Sequence, residues 1–425
     1  MMARLFYSLL FYLAMPLVWS RLLWRGRRQP EYLRQVRERH GFCRPSSTRP
    51  LIWLHAVSVG ETRAAEPLIE ALLRDYPAHD LLLTHMTPTG RATGREIRAR
   101  HPDRLWQAYL PYDLPDACGR FLDRCQPQVG LLMETEIWPN LIAAARRRRV
   151  PLALINGRLS ARSQRGYTRL SSLIAPALAS LSAVAAQTEA DAARLQAIGA
   201  RRVAVLGNLK FDVVPAPEKL ALGAEWRRAL GSRPVCLFAS SREGEEALFL
   251  DAFAAIGARD VLLLMVPRHP QRFGEVAELV AGRRLVYRRR SDDTLPDAGT
   301  RVWLGDSMGE LAAYYALADI ALIGGTWLPF GGQNLIEAAA CGCPVVLGPH
   351  SFNFAQASED AIAGGAARRV PDLAAAAGLV TELLHDRRQL QTMRDAADDF
   401  SRAHGGATAR TVALVRALLA ESARR

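Results

Sequence analysis

Short, almost uninterrupted apolar runs recur along this chain, and each leads through a turn into a helical pattern. The first series comprises residues 51–56 (LIWLHA), 80–85 (DLLLTH), 128–133 (QVGLLM), 151–156 (PLALIN), 183–187 (AVAAQ) and 203–207 (VAVLG). Strands this apolar are buried on both faces, and strands that alternate with helices build parallel, doubly wound sheets. Such sheets bind ligands beyond the carboxyl ends of their strands. The series restarts at 234–239 (PVCLFA), 261–266 (VLLLMV), 301–304 (RVWL), 318–323 (ADIALI) and 343–348 (CPVVLG). Between the two series, residues 212–222 (DVVPAPEKLAL) hold two prolines without periodicity and read as a linker. With 425 residues, the chain is too long for one core and fits two α/β domains. No repeat of 20–50 residues is present, so the halves share architecture and not sequence. The tail after Ala366 reads as helix rich in Ala and Arg.

The most informative loop is 324–335 (GGTWLPFGGQNL), set between the runs at 318–323 and 343–348. Glycines let backbone approach a ligand closely, and a helix beginning near Asn334 would offer free N–H groups to a phosphate. Asn334 and Glu337 share one helix face, where a carboxylate can hold the hydroxyls of a ribose. The loop alone is equally compatible with a tight turn capped by Asn334, with Glu337 complementing the helix dipole.

Lys plus Arg exceed Asp plus Glu by 55 to 42, a net charge of +13. This suits an anionic partner. Nucleic acid is disfavoured, because the basic run Arg146–Arg149 has neither interleaved aromatics nor a reading helix. That run reads as a solvated helix end, with anionic lipid headgroups as the functional alternative. Residues 5–24 form an apolar stretch of the length a bilayer requires, about 20 residues. Arg25, Arg27 and Arg28 follow it, which places the remainder on the cytoplasmic side. Both a spanning helix and one lying in the interface fit this pattern. The six cysteines show no metal-ligand spacing and read as reduced thiols.

Several motifs, in order, resemble the 3-deoxy-D-manno-octulosonic acid (Kdo) transferases of lipopolysaccharide synthesis. They are 54–61 (LHAVSVGE), 86–90 (MTPTG), 110–113 (LPYD), 133–140 (METEIWPN), 207–212 (GNLKFD), 267–270 (PRHP), 305–311 (GDSMGEL) and 348–354 (GPHSFNF). The resemblance implies an α/β fold of two Rossmann-like domains (GT-B) with an N-terminal membrane-anchor helix. The boundaries expected are an anchor at 1–28, an acceptor domain at 29–212, a linker at 213–222, a CMP-Kdo-binding domain at 223–405, and a helix at 406–425 that returns to the first domain.

The resemblance further implies inverting transfer of Kdo from CMP-Kdo to the 6'-hydroxyl of a phosphorylated lipid A precursor, once or more than once. It implies no cofactor and no metal, at the inner-membrane surface on its cytoplasmic side. Glu61 matches the general base, and its place at a helix start is expected to keep it ionised. Glu134 and Lys210 match residues that support the transition state. Arg268 and His269 match the CMP-binding pair, Met308, Gly309 and Glu310 the segment facing the nucleotide, and Asn334, Leu335, Ile336 and Glu337 the part that closes on the ribose. Gln333 and Arg242 stand where the family often has His, which excludes an imidazolium at either position. The rival readings are a heptosyltransferase, a nucleotide-sugar epimerase, or a non-catalytic, membrane-tethered glycolipid-binding protein.

Overall fold

The computed structural model describes residues 2–43, 45 and 47–423. Arg44 and Ser46, between residues 30 and 50, lie outside the described residues. Two compact units divide the chain, one of residues 1–213 and 405–425, the other of residues 214–404.

The first unit is built on seven parallel strands: β1 (Leu51–His55), β2 (Asp80–His85), β3 (Leu105–Tyr109), β4 (Pro127–Met133), β5 (Leu152–Gly157), β6 (Ala183–Ala186) and β7 (Val203–Val205). Their order across the sheet is β3-β2-β1-β4-β5-β6-β7. Successive side chains leave opposite faces, so each strand feeds two cores. From β1, Trp53 packs edge-on against Phe121 (ring centroids 5.1 Å apart) on one face. Ile52 and Leu54 join Leu68 and Leu72 of the helix Val59–Asp75 on the other. The helix Ala407–Ala423 adds Val412, Val415 and Leu418 to that second layer. Its start is held by Asp212, whose carboxylate accepts the N–H groups of Gly406 and Thr408.

The second unit has the strands β8 (Val235–Ser241), β9 (Leu262–Pro267), β10 (Tyr287–Arg289), β11 (Val302–Leu304), β12 (Ile320–Ile323), β13 (Val345–Leu347) and β14 (Ala367–Arg369). They are again parallel, in the order β10-β11-β9-β8-β12-β13-β14. Phe238, Phe249 and Phe253 stack through its core, with centroid separations of 4.7 and 4.8 Å.

Three expectations need correction. The segment 213–222 is a linker only at its start, because the helix Pro217–Leu230 begins inside it. Pro217 sits in the first turn, where its missing N–H costs nothing and its fixed φ favours entry. Three strands were not anticipated: β3, β10 and β14. The last makes the tail after Ala366 a strand before it becomes helix. All three lie at sheet edges, where side chains are partly solvated and the apolar run is lost.

The helix Met2–Arg28 is long and apolar enough to cross a membrane. It packs lengthwise on the first unit. Ser8 donates to Asn140 Oδ1 at 3.1 Å, and Phe11, Met15 and Val18 pack against Tyr112, Leu114 and Ala117. Trp19 stacks on His40, and Leu22 is buried. Leu5, Phe6, Leu9, Leu10, Leu13 and Leu17 are exposed.

Candidate active site

In each sheet the direction of winding reverses between two neighbouring strands, and the helices that follow them diverge to leave a crevice. In the first unit these strands are β1 and β4, and the residues just beyond them are 56–61 and 134–136.

Ser58 caps the helix Val59–Asp75 by accepting the Glu61 N–H at 3.4 Å. The Glu61 carboxylate turns back and accepts from Val57 N–H at 2.8 Å and from the Ser58 hydroxyl at 3.1 Å. This is a reciprocal cap, and it fixes where the carboxylate points. The expectation that the helix start keeps Glu61 ionised is corrected here. Burial, then the charge of Glu134, push its pKa up to about 7; Glu136 adds to the rise and the two cap hydrogen bonds oppose it. The result is a carboxyl group that exchanges a proton near neutrality, which a general base requires.

Glu134 follows β4 with φ of 56°, a left-handed conformation unusual outside glycine. Its N–H still reaches Ile155 O at 2.9 Å, so the sheet holds the backbone in this shape. Its side chain meets Lys210 Nζ at 3.4 Å, with 24% and 19% of the two side chains exposed. Lys210 lies in the short helical turn Leu209–Asp212.

Asn156, which the sequence did not single out, is the support beneath that turn. It ends β5 with φ of 51°, and its Oδ1 accepts the Leu209 N–H at 3.0 Å. His55 was also missed as a site neighbour. It is fully buried, Nδ1 lies 2.9 Å from the Thr84 hydroxyl, and Nε2 faces Glu136 at 3.6 Å. Behind it, burial pushes His85 down to about 3, so this neutral ring buttresses the turn through Nδ1 and the Ala56 carbonyl, 3.1 Å apart.

In the second unit the reversal falls between β8 and β12. Arg268 and His269 follow β9 and are exposed; the Arg268 N–H donates to Ser241 O at 3.0 Å, which ties the turn to the end of β8. Partial burial and the charges of Arg242 and Arg268 lower the His269 pKa. Arg242 lies over the Phe330 ring at 4.4 Å, so a cation adjoins the glycine-rich loop.

That loop is organised by Glu245, a residue the sequence reading did not single out. Its carboxylate is fully buried and accepts the N–H groups of Arg242 (2.9 Å), Gly325 (2.8 Å), Trp327 (3.1 Å) and Leu328 (3.3 Å). Gly324 packs so tightly that a Cβ would lie 2.2 Å from Ser240 O, and Gly325 has φ of 71°. Acids immediately after a strand, at the first turn of the helix Glu245–Ala255, were the available signal.

Met308 is 66% exposed and Gly309 has φ of 74° with open space around it. Glu310 is less free than expected. Its carboxylate accepts from Ser307 Oγ at 2.7 Å and pairs with Arg290 at 3.0 Å, so its side chain shapes the segment. The helix after the loop is only Ile336–Ala340. One of its N–H groups, that of Ile336, is already capped by Asn334 Oδ1 at 3.2 Å. The expected phosphate site at a free helix start is therefore corrected: five residues supply little dipole, and one of the first N–H groups is already taken. Leu335 and Ile336 are buried and can meet a ligand only through backbone, whereas Glu337 is half-buried.

The fold and these carboxyl-end sites define a two-domain, GT-B-like glycosyltransferase. A family model described as 3-deoxy-D-manno-octulosonic-acid transferase matches residues 34–213, and one described as glycosyl transferases group 1 matches residues 248–400. A 3-deoxy-D-manno-octulosonic acid transferase of Bordetella pertussis is 46% identical over 97% of this chain and 98% of its own length. One of Haemophilus influenzae is 37% identical over 83% and 84%. The chain belongs to the 3-deoxy-D-manno-octulosonic acid transferase family. A crystal structure of a glycosyltransferase from Rickettsia africae has the same fold, with a TM-score of 0.61 over 88% of this chain and 99% of that one, at 14% identity.

Proposed function

We propose that the protein transfers Kdo from CMP-Kdo to the 6'-hydroxyl of a lipid A precursor, lipid IVA, with inversion and without a metal. Family membership supports the sugar and the reaction class. The observation that carries the mechanism is the gathering of Glu61, Glu134 and Lys210 at one sheet reversal, with Glu61 pushed to about 7.

Glu61 takes the proton of the acceptor hydroxyl as that oxygen forms its bond to the anomeric carbon. The bond from that carbon to the CMP phosphate oxygen breaks, and CMP departs with the electron pair. Attack from the face opposite the leaving group inverts the centre. Lys210 offsets negative charge, and its pairing with Glu134 fixes where the ammonium sits. Arg268 and His269 receive the anionic donor, and the Met308–Gly309 backbone faces the base. Glu337 holds the ribose hydroxyls.

Attachment is to the cytoplasmic face of the inner membrane. The contacts of the helix Met2–Arg28 with the first unit from Ser8 to Leu22, and the apolar stripe it turns outward, support a helix that lies in the interface.

The test is a transfer assay in detergent with CMP-Kdo generated in place, tetraacylated precursor and chelator. Wild type and Glu61→Gln run in parallel, with products read by mass. Kdo increments with wild type and none with the variant, CMP binding being retained, are the expected result. Their number gives the multiplicity. No increment with wild type overturns the Kdo reading, and equal activity in the variant removes Glu61 as base.

A further inference from the structure

The run Arg146–Arg149 divides in the fold. Arg148 is committed to structure: its guanidinium grips Asp123 at 2.6 and 2.7 Å. Its three neighbours line open cavities instead. The larger, of about 1040 Å³, holds Arg146, Arg149, Arg201 and Arg202. The smaller, of about 420 Å³, holds Arg146 and Arg147 and reaches Arg4 on the N-terminal helix. The two share Arg146, Ser172, Pro176 and Ser180, so they adjoin, and together they make a basic trough. Among the described residues, no Asp or Glu lines either part. The Arg146 guanidinium donates to the Ser180 hydroxyl at 3.2 Å, and Arg202 has a distant acid in Glu421 at 3.9 Å.

The larger part of the trough lies away from the proposed chemistry. Val150, Pro151, Ser182, Arg201 and Arg202 immediately precede β5, β6 and β7, so it opens at the amino ends of these strands. Glu134 and Asn156 stand at the carboxyl ends, which across the six residues of β5 is about 20 Å away. The acceptor of the proposed reaction is therefore not the occupant of this larger part; the smaller part follows the helix Pro139–Arg147 back to its first turn.

We propose that this trough binds the headgroups of anionic phospholipids and sets the roll of the first unit on the membrane. The inference rests on the reading that the helix Met2–Arg28 lies on a lipid surface. Two observations select this ligand. The trough runs into Arg4, at the end of a helix whose outward stripe is apolar, so phosphate and acyl chain would meet adjoining surfaces. Clustered arginines with no lining carboxylate, on a surface without aromatic platforms, fit phosphates and not bases.

The test uses the full chain and vesicles of phosphatidylcholine with or without phosphatidylglycerol, read by sedimentation. Each basic residue near an anionic surface is worth about a fivefold gain in binding. Arg146→Gln/Arg149→Gln/Arg201→Gln should therefore lose at least tenfold of the gain that phosphatidylglycerol gives wild type, with binding to phosphatidylcholine alone unchanged. A full gain in the triple variant overturns the proposal. Failure of both proteins to bind phosphatidylcholine speaks instead against the interfacial helix, and the phosphatidylglycerol arm still reads the trough. Displacement by inorganic phosphate beyond that by chloride of equal ionic strength would assign the site to free phosphate and overturn the lipid assignment. Should the variant misfold, wild type with a photoactivatable phosphatidylglycerol headgroup decides. Adducts at residues 146–149, 171–182 or 199–202 support the trough, and adducts confined elsewhere refute it.

Discussion

The Glu245 carboxylate accepts the Gly325 N–H at 2.8 Å, joining the helix after β8 to the loop after β12. Three further N–H groups converge on the same buried acid. Glu245→Gln keeps the size of the side chain but turns an NH2 group toward backbone donors. Hydrogen bonds to a charged group are worth about 1.5–3 kcal/mol each, and this change disrupts at least one. CMP affinity measured by calorimetry should fall about tenfold or more, while a Kdo-transferring variant at saturating donor retains most of its turnover. Unchanged affinity would mean that the loop holds its shape without the clamp.

Glu61 gives a pH signature. As a base it acts deprotonated, so kcat/KM should rise with pH and level off above about 7. Glu134→Gln removes the second-largest cause of that elevation and should move the limb to lower pH, whatever it does to the plateau. A limb that stays in place would assign the titration to another group.

The same shift predicts a change in stability. The folded pKa is raised, so the stabilisation linked to the Glu61 proton is present below its ordinary value of 4.5 and lost as pH rises through about 7. Glu61→Gln should therefore gain in Tm relative to wild type between pH 5 and pH 8. Parallel Tm curves would show that the carboxyl group titrates alike in both states.

Asn156 combines a left-handed backbone with the bond to Leu209. Asn156→Gly keeps the backbone and loses the bond, for about 1 kcal/mol. Asn156→Ala loses the same bond and keeps the Cβ that glycine lacks, without the polar side chain that eases Asn into the left-handed region, so it should be the less stable of the two by about 1–2 kcal/mol. Urea denaturation should rank them in that order. Both should lower kcat more than donor KM, since Lys210 follows Leu209 directly.

Arg272 and Glu246 form a buried pair at 2.6 Å, with 10% and 1% of their side chains exposed. Glu246→Ala strips the arginine of its buried partner and leaves only the exposed Glu275, 2.9 Å away. Breaking such a pair costs about 3–5 kcal/mol. A loss below 1 kcal/mol in denaturant titration would mean that Glu275 alone satisfies the guanidinium.

The central strands were legible because burial on both faces leaves a continuous apolar run, as in Leu81–Leu83 and Leu262–Val266. The edge strands β3, β10 and β14 were not, because Gln107, Arg288 and Arg368 sit where one side meets solvent, whereas β7 at the remaining edge kept its short apolar run. Motifs located Glu61, Glu134 and Lys210, and the fold brings the last two within 3.4 Å. The protonation of Glu61 was misjudged: the helix dipole can be read from position, whereas burial and the charge of Glu134 arise only when β1 and β4 lie side by side. Glu245 escaped for a related reason. In sequence it resembles its solvated neighbour Glu243, and only the return of the chain 80 residues later supplies its donors.

The return of the helix Ala407–Ala423 to the first unit has a consequence for biosynthesis. A nascent chain emerges from its amino end, yet Val412, Val415 and Leu418 complete the layer around Leu68 and Leu131. The leading 213 residues must leave the ribosome with that apolar layer open. Residues 214–404 are contiguous and need nothing made later, so the unit synthesised second can finish first. The exposed apolar layer is the hazard of that interval, which closes when this helix arrives.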